Sequence, residues 1–131
     1  MGFLDKITKA FTGVEAPAEE NSIWNLVSSK EEIEELLLAS NKRTQVVYKH
    51  SPSCGVSYFA LRNLNNPELL RNDDLDFHLI DVINERSLSM SFAETVGIRH
   101  ESPQIFVISD GKVQWHASHN SVNAENVLKY I

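Results

Sequence analysis

The chain reads as an α/β protein with one mixed central sheet and helices on both faces. Two patterns predict this. From residue 23 onward, β-rich runs and helical stretches follow one another in the order β-α-β-α-β-α-β-β-α. A long helical connection between two buried strands suits a right-handed parallel crossover. Near the end, Asp110-Gly111 stands between two β-rich runs, a two-residue turn that joins antiparallel strands. Parallel and antiparallel pairs in one sheet, covered on both faces, follow from these connections.

Each element has its own signal. Phe3, Leu4, Ile7 and Phe11 recur at helical spacing with Lys6, Thr8 and Lys9 between them, and residues 13–22 resemble a linker. The expected division is an N-terminal extension over 1–22, a short amphipathic helix plus linker, and a folded domain over 23–131. Such a terminal helix ordinarily packs on the domain edge or frays; a docking or membrane-surface role is the alternative. Ile23–Val27 is a short strand. Ser28 or Ser29, followed by Glu31 and Glu32, opens a capping box for a helix over Lys30–Ala39. Thr44–His50, with Val46-Val47-Tyr48, is a strand buried on both faces. A helix over Val56–Leu64 follows, and Pro67 can open another helical turn through Leu70. Phe77–Ile83 is the third strand. Ser87 or Ser89 caps a helix that Gly97 closes after Val96. Gln104–Ser109 and Lys112–Ala117 form the hairpin, and Ser121 or Asn123 caps a last helix containing Val127 and Leu128.

Bulk properties narrow the function. The 131 residues suit one domain with a real core, and 42% apolar with 23% charged residues is a globular balance. A net charge of -6, with no basic stripe, argues against nucleic acid as a partner. No apolar run nears the roughly 20 residues of a membrane span. The opening residues lack the apolar core of a secretory signal, and Lys6 stands where a myristoylation motif needs Ser or Thr.

The most informative residue is Cys54, the one cysteine. It lies where the buried strand passes through Ser51-Pro52-Ser53 into a helix. A thiol at a helix N-terminus meets unpaired amides, here of Gly55 and Val56, and the positive end of the helix dipole. Both favour the thiolate, the nucleophilic form. A lone cysteine is commonly a buried, inert hydrophobe, but the Pro-Ser before it and the Gly after it argue for a loop. With no second cysteine, no internal disulfide can close, and an unpaired thiol suits a reducing, cytoplasmic compartment. Ser57, three residues on, shares the helix face of Cys54 and is placed to donate to the thiolate. His50 is placed to assist as a nearby cation, unless it merely caps the strand end. His78, His100, His116 and His119 show no zinc-ligand spacing, so no metal site is expected.

Taken in order, three marks resemble a thioredoxin-fold protein: strand, Cys54-Gly55-Val56-Ser57 and helix; Val96-Gly97-Ile98-Arg99 followed by Ser102-Pro103; and the Asp110-Gly111 hairpin with its C-terminal helix. The resemblance spans about Ile23 to Ile131. Within that fold, the monothiol motif in its Ser-Pro-Ser-Cys-Gly-Val-Ser setting is most similar to the bacilliredoxin-like proteins of the bacillithiol system. The resemblance implies a thiol-disulfide oxidoreductase that strips bacillithiol, or a similar low-molecular-weight thiol, from S-thiolated client proteins. It implies no bound cofactor, the small thiol being a co-substrate. It also implies a cis Pro103 facing Cys54, with Ser53, Ser102 and Pro103 contacting the thiol ligand. Ser57 replaces a resolving cysteine, and Ser53 replaces the usual tryptophan. Two other readings stay open: an iron–sulfur carrier like the monothiol glutaredoxins, although Val56 replaces their Phe, and an interaction module with an idle thiol.

Overall fold

A computed structural model describes residues 23–131, so the expected extension over 1–22 lies outside the described residues. The elements are β1 (Trp24–Leu26), α1 (Lys30–Ala39), β2 (Thr44–His50), α2 (Gly55–Asn63), α3 (Pro67–Leu70), β3 (Leu75–Asp81), α4 (Arg86–Val96), β4 (Gln104–Ser109), β5 (Lys112–Ser118), a 3₁₀ turn (His119–Ser121) and α5 (Ala124–Leu128). The sheet order is β1-β3-β2-β4-β5. β1 and β2 run parallel to β3, while β4 pairs antiparallel with β2 and β5. The mixed sheet between two helical layers is the expected fold class.

Alternation along β2 builds two cores. Val46 and Tyr48 join Ala60, Leu64, Leu79, Ile105 and Val127 on the face covered by α2 and α5. Val47 joins Ile33, Leu36, Leu88, Phe92 and Phe106 on the face covered by α1 and α4. Successive strand residues point to opposite faces, which explains why a strand buried on both sides reads as a continuous apolar run. Trp24 packs edge-on against Phe77, ring centroids 5.3 Å apart.

Caps follow local chemistry. Ser29 is the N-cap of α1: its Oγ accepts from the Glu32 amide at 3.2 Å, and the Glu32 carboxylate accepts from the Ser28 amide and hydroxyl at 3.1 and 3.0 Å. Asn123, not Ser121, caps α5 by accepting from the Asn126 amide at 2.8 Å. The Asp110-Gly111 turn has φ of +55° and +75°, the left-handed pair of a type I′ hairpin.

The third strand departs from expectation. It runs Leu75–Asp81, two residues earlier than Phe77–Ile83. Asp81 Oδ1 accepts from the amides of Ile83 and Asn84, both at 2.9 Å. This side-chain turn ends the ladder and leaves Ile83 exposed. It also fixes the next helix. The Glu85 amide donates to the Asp81 carbonyl at 2.8 Å, so α4 starts at Arg86 with Glu85 as N-cap, and neither Ser87 nor Ser89 caps it. Gly97, at φ +71°, closes it as expected.

Candidate active site

β2 ends at His50, and Ser51-Pro52-Ser53 carries the chain off the sheet to Cys54, the N-cap of α2. The Cys54 amide donates to the Ser51 carbonyl at 3.1 Å, which tightens the loop. The Cys54 carbonyl accepts from the Ser57 and Tyr58 amides at 3.1 and 3.3 Å, which starts the helix. The cysteine side chain makes no capping bond and is partly exposed. The thiol therefore stands at the positive end of a nine-residue helix beside the amides of Gly55 and Val56. A Cβ at Gly55 would meet nothing within 4 Å, so packing does not require a glycine here.

Ser57 is fully buried. Its hydroxyl accepts from the Ser51 amide at 2.9 Å and lies 3.0 Å from His50 Nδ1 and 3.1 Å from the Tyr48 hydroxyl. Tyr48 donates its own proton to the Ser57 carbonyl at 2.7 Å. Cys54 Sγ is not among these partners; Ser57 meets Cys54 through its backbone amide. The hydroxyl expected to face the thiol instead ties the loop to the helix and the strand, because the helix turns position 57 inward over Tyr48.

His50 also corrects an expectation. It is fully buried, and burial pulls its pKa down to about 4 against a weaker opposing pull from Asp81. It is neutral at physiological pH and supplies no cation. Its ring meets Tyr58 edge-on, with centroids 4.6 Å apart.

The opposite wall comes from β4. Lys49 and Gln104 are antiparallel partners, so Ser102 and Pro103 leave the sheet at the same end as the Cys54 loop. The Ser102–Pro103 peptide bond is cis. Pro103 is buried, and its carbonyl accepts from the His119 amide at 3.1 Å. The 3₁₀ turn that begins at His119 packs against α2. Ser102 Oγ is buried with no hydrogen-bond partner among the described residues. Ser53 is exposed at the loop tip. Beside the thiol, Val56 and Phe59 lie one turn apart on α2, 53% and 62% exposed, which leaves an apolar strip open to a protein surface.

Sequence reasoning missed Tyr48, Lys49, His100 and Gln104 as parts of this end of the molecule. One signal was available: a lysine and a histidine closing an otherwise apolar buried strand. His78 and His116 stand apart. His78 Nε2 lies 2.7 Å from Gln45 Oε1, and burial lowers its pKa to about 4. His116 stacks on Phe106. Among the described residues, no three His, Cys, Asp or Glu side chains gather as a metal site, and no helix is long and apolar enough to cross a membrane.

A family model described as monothiol bacilliredoxin matches residues 25–127. Among solved structures, one whose description assigns it provisionally as an oxidoreductase with a thioredoxin fold is 29% identical, with TM-score 0.73, over 85% of this chain and 96% of the other. Mitochondrial thioredoxin 3 from Saccharomyces cerevisiae matches at 16% identity and TM-score 0.63, over 84% of this chain and 93% of that one. Thioredoxin from Trypanosoma brucei brucei matches at 15% and 0.61, over 82% and 84%. At these two identities the likeness concerns the fold alone.

Proposed function

The chain belongs to the monothiol bacilliredoxin family, and from that premise we propose that it removes bacillithiol, or a similar low-molecular-weight thiol, from S-thiolated client proteins. The observation that carries this reading is Cys54 itself: a lone, partly exposed thiol at an uncapped helix N-terminus, with a buried serine three residues on, where a second thiol would be needed to close a disulfide.

The chemistry balances without a resolving cysteine. The Cys54 thiolate attacks the small-thiol sulfur of the client's mixed disulfide. A sulfur–sulfur bond forms between Cys54 and the small thiol, the client's sulfur–sulfur bond breaks, and the client leaves as thiolate. A second small thiol, as thiolate, then attacks the small-thiol sulfur on Cys54. This releases the Cys54 thiolate and an oxidised small-thiol dimer. The amides of Gly55 and Val56 favour the leaving Cys54 thiolate. Ser57 and His50 act from behind by holding the loop. Ser53, Ser102 and Pro103 line the approach, with Ser102 offering backbone donor and acceptor groups to an extended ligand. Val56 and Phe59 receive the client's apolar surface. A reducing compartment such as the cytoplasm suits the unpaired thiol.

The test compares a bacillithiol-capped protein with a protein carrying an internal disulfide, under the same single-turnover conditions. The capped protein is expected to react faster and to leave one small-thiol adduct on Cys54 by intact mass. With an internal disulfide, the tethered client thiol reverses the first attack at high effective concentration. Faster reaction of the internal disulfide, or no adduct on Cys54, would overturn the reading.

A further inference from the structure

On the other face of the sheet from Tyr48, a lysine is buried with no carboxylate among its hydrogen-bond partners. Lys49 is fully buried, with its ammonium 5.7 Å from the ring centre of Phe92 and 5.8 Å from that of Phe106. Its hydrogen bonds go to the Ser89 carbonyl and to His100 Nδ1, both at 3.0 Å. An ammonium only donates, so Nδ1 must accept, and the His100 ring carries its proton on Nε2. Ser89 Oγ, 3.3 Å from the same Nδ1, can then act as a second donor to it. His100 is partly exposed, and its Nε2 has no protein partner among the described residues.

His100 lies in the segment that delivers Ser102 and Pro103. That segment is clasped at further points: Gln104 Nε2 donates to the Arg99 carbonyl, Gln104 Oε1 accepts from the Glu101 amide, both at 3.1 Å, and Ser118 Oγ donates to Glu101 Oε1 at 2.7 Å. The last bond commits the Glu101 carboxylate to β5. Charges of both signs act on the ring: after burial, Lys49 and then Arg86, exposed at the start of α4, disfavour its protonated form, while the Glu101 carboxylate favours it; Arg99 stands exposed beside it in sequence. On a chain of net charge -6, the two cations Lys49 and Arg86 against the one carboxylate of Glu101 leave the ring in a local field of net positive sign.

Resting on the function proposed above, we propose that His100, oriented by Lys49, is a specificity-determining residue whose Nε2–H receives a carboxylate at the far end of the small thiol. His100 stands two residues before Ser102 in the segment that forms the wall opposite Cys54, so a ligand with its sulfur at Cys54 and its chain laid along Ser102 would have this N–H donor on the same wall. Bacillithiol carries a malyl dicarboxylate at the end away from its sulfur, which suits a neutral N–H donor backed by arginine.

The experiment uses the full chain and one carrier protein capped either with bacillithiol or with bacillithiol whose carboxylates are esterified. The readout is the ratio of the two kcat/KM values, which cancels any loss of folded protein. The wild type is expected to favour the free carboxylate. His100→Phe should lower that ratio about tenfold, the scale of one charge-assisted hydrogen bond. His100→Gln, which keeps an N–H donor, should lower it less. Lys49→Met, which frees the ring, should lower it in the same direction. A wild-type ratio near one, or a ratio unchanged in His100→Phe, would overturn the carboxylate site while leaving dethiolation standing. Turnover of neither cap by the wild type would overturn both.

Discussion

The amide of Ser51 donates to the hydroxyl of Ser57 at 2.9 Å, a bond that spans the active-site loop from the end of the strand to the first turn of the helix. Around it, Tyr48 and His50 complete a buried hydrogen-bonded group. In a chain with one thiol, the residue at this position has no sulfur to offer, and its contribution is to hold the loop in place.

Ser57→Ala is therefore expected to cost about 1–3 kcal/mol, because the partly buried Ser51 amide and the buried polar groups of Tyr48 and His50 lose a partner. Urea unfolding of the variant against the wild type measures it. A loss below about 0.5 kcal/mol, the scale of an ordinary surface change, would show that the bond does not brace the loop.

Cys54→Ser should abolish adduct formation and thiol transfer and leave the fold intact. The cysteine side chain makes no capping bond, whereas serine is a favoured N-cap, so stability should stay equal or rise by up to about 1 kcal/mol. Adduct mass and a denaturation midpoint on the same preparation decide it. Residual transfer would remove Cys54 as the nucleophile, and a collapse in stability would make the sulfur structural.

Acid should weaken the fold before carboxylates titrate. Burial holds His50 and His78 at pKa values of about 4, against 6.5 for an unburied histidine. As pH falls from 6.5, the unfolded chain takes up protons that the folded chain refuses. Stability from these groups is thus fully present above pH 6.5, is lost between 6.5 and 4, and levels off below. The loss should be about 3 kcal/mol per histidine. Stability measured across this range should show a slope that His50→Gln or His78→Gln makes shallower. An unchanged slope in both variants would mean that neither ring is held neutral.

Lys49 should carry a stability penalty at neutral pH. Burial lowers its pKa from 10.5 to about 8, so at pH 7 the fold holds a disfavoured charge. Between pH 8 and 10.5 the folded chain gives up that proton while the unfolded chain keeps it, and stability from this group rises with pH. Tyr48, whose phenol burial keeps protonated above its ordinary range, pulls the other way only above pH 10. Lys49→Met is expected to stabilise the protein by about 1–3 kcal/mol at pH 7 and to remove the rise above pH 8. A destabilised Lys49→Met would mean that the lysine's hydrogen bonds outweigh its desolvation.

Where local chemistry was sufficient, the elements were legible. The caps at Ser29 and Asn123, the close at Gly97 and the turn at Asp110-Gly111 each depend on neighbours within a few residues. β3 was misplaced because Val82 and Ile83 are β-formers by propensity, and an aspartate side chain overrides that by turning the backbone at Asp81. The 3₁₀ turn at His119–Ser121 had no local signal, being held partly by a bond to Pro103.

By itself, the sequence determined the order of elements, the mixed sheet, and a single thiol at a strand-to-helix junction. Periodicity, turn residues and a cysteine count express these directly. Only the tertiary structure decided what the neighbours of that thiol do. Ser57 and Lys49 are ordinary polar residues until packing assigns them a face, and helix geometry turned the first away from the sulfur it was expected to serve. His50 reads as a cation in water and becomes a neutral acceptor or donor once burial removes the water that would solvate its charge. The contact between Lys49 and His100 joins residues 51 apart. It exists because the pairing of β2 with β4 brings them to one end of the sheet, and no local pattern encodes that register.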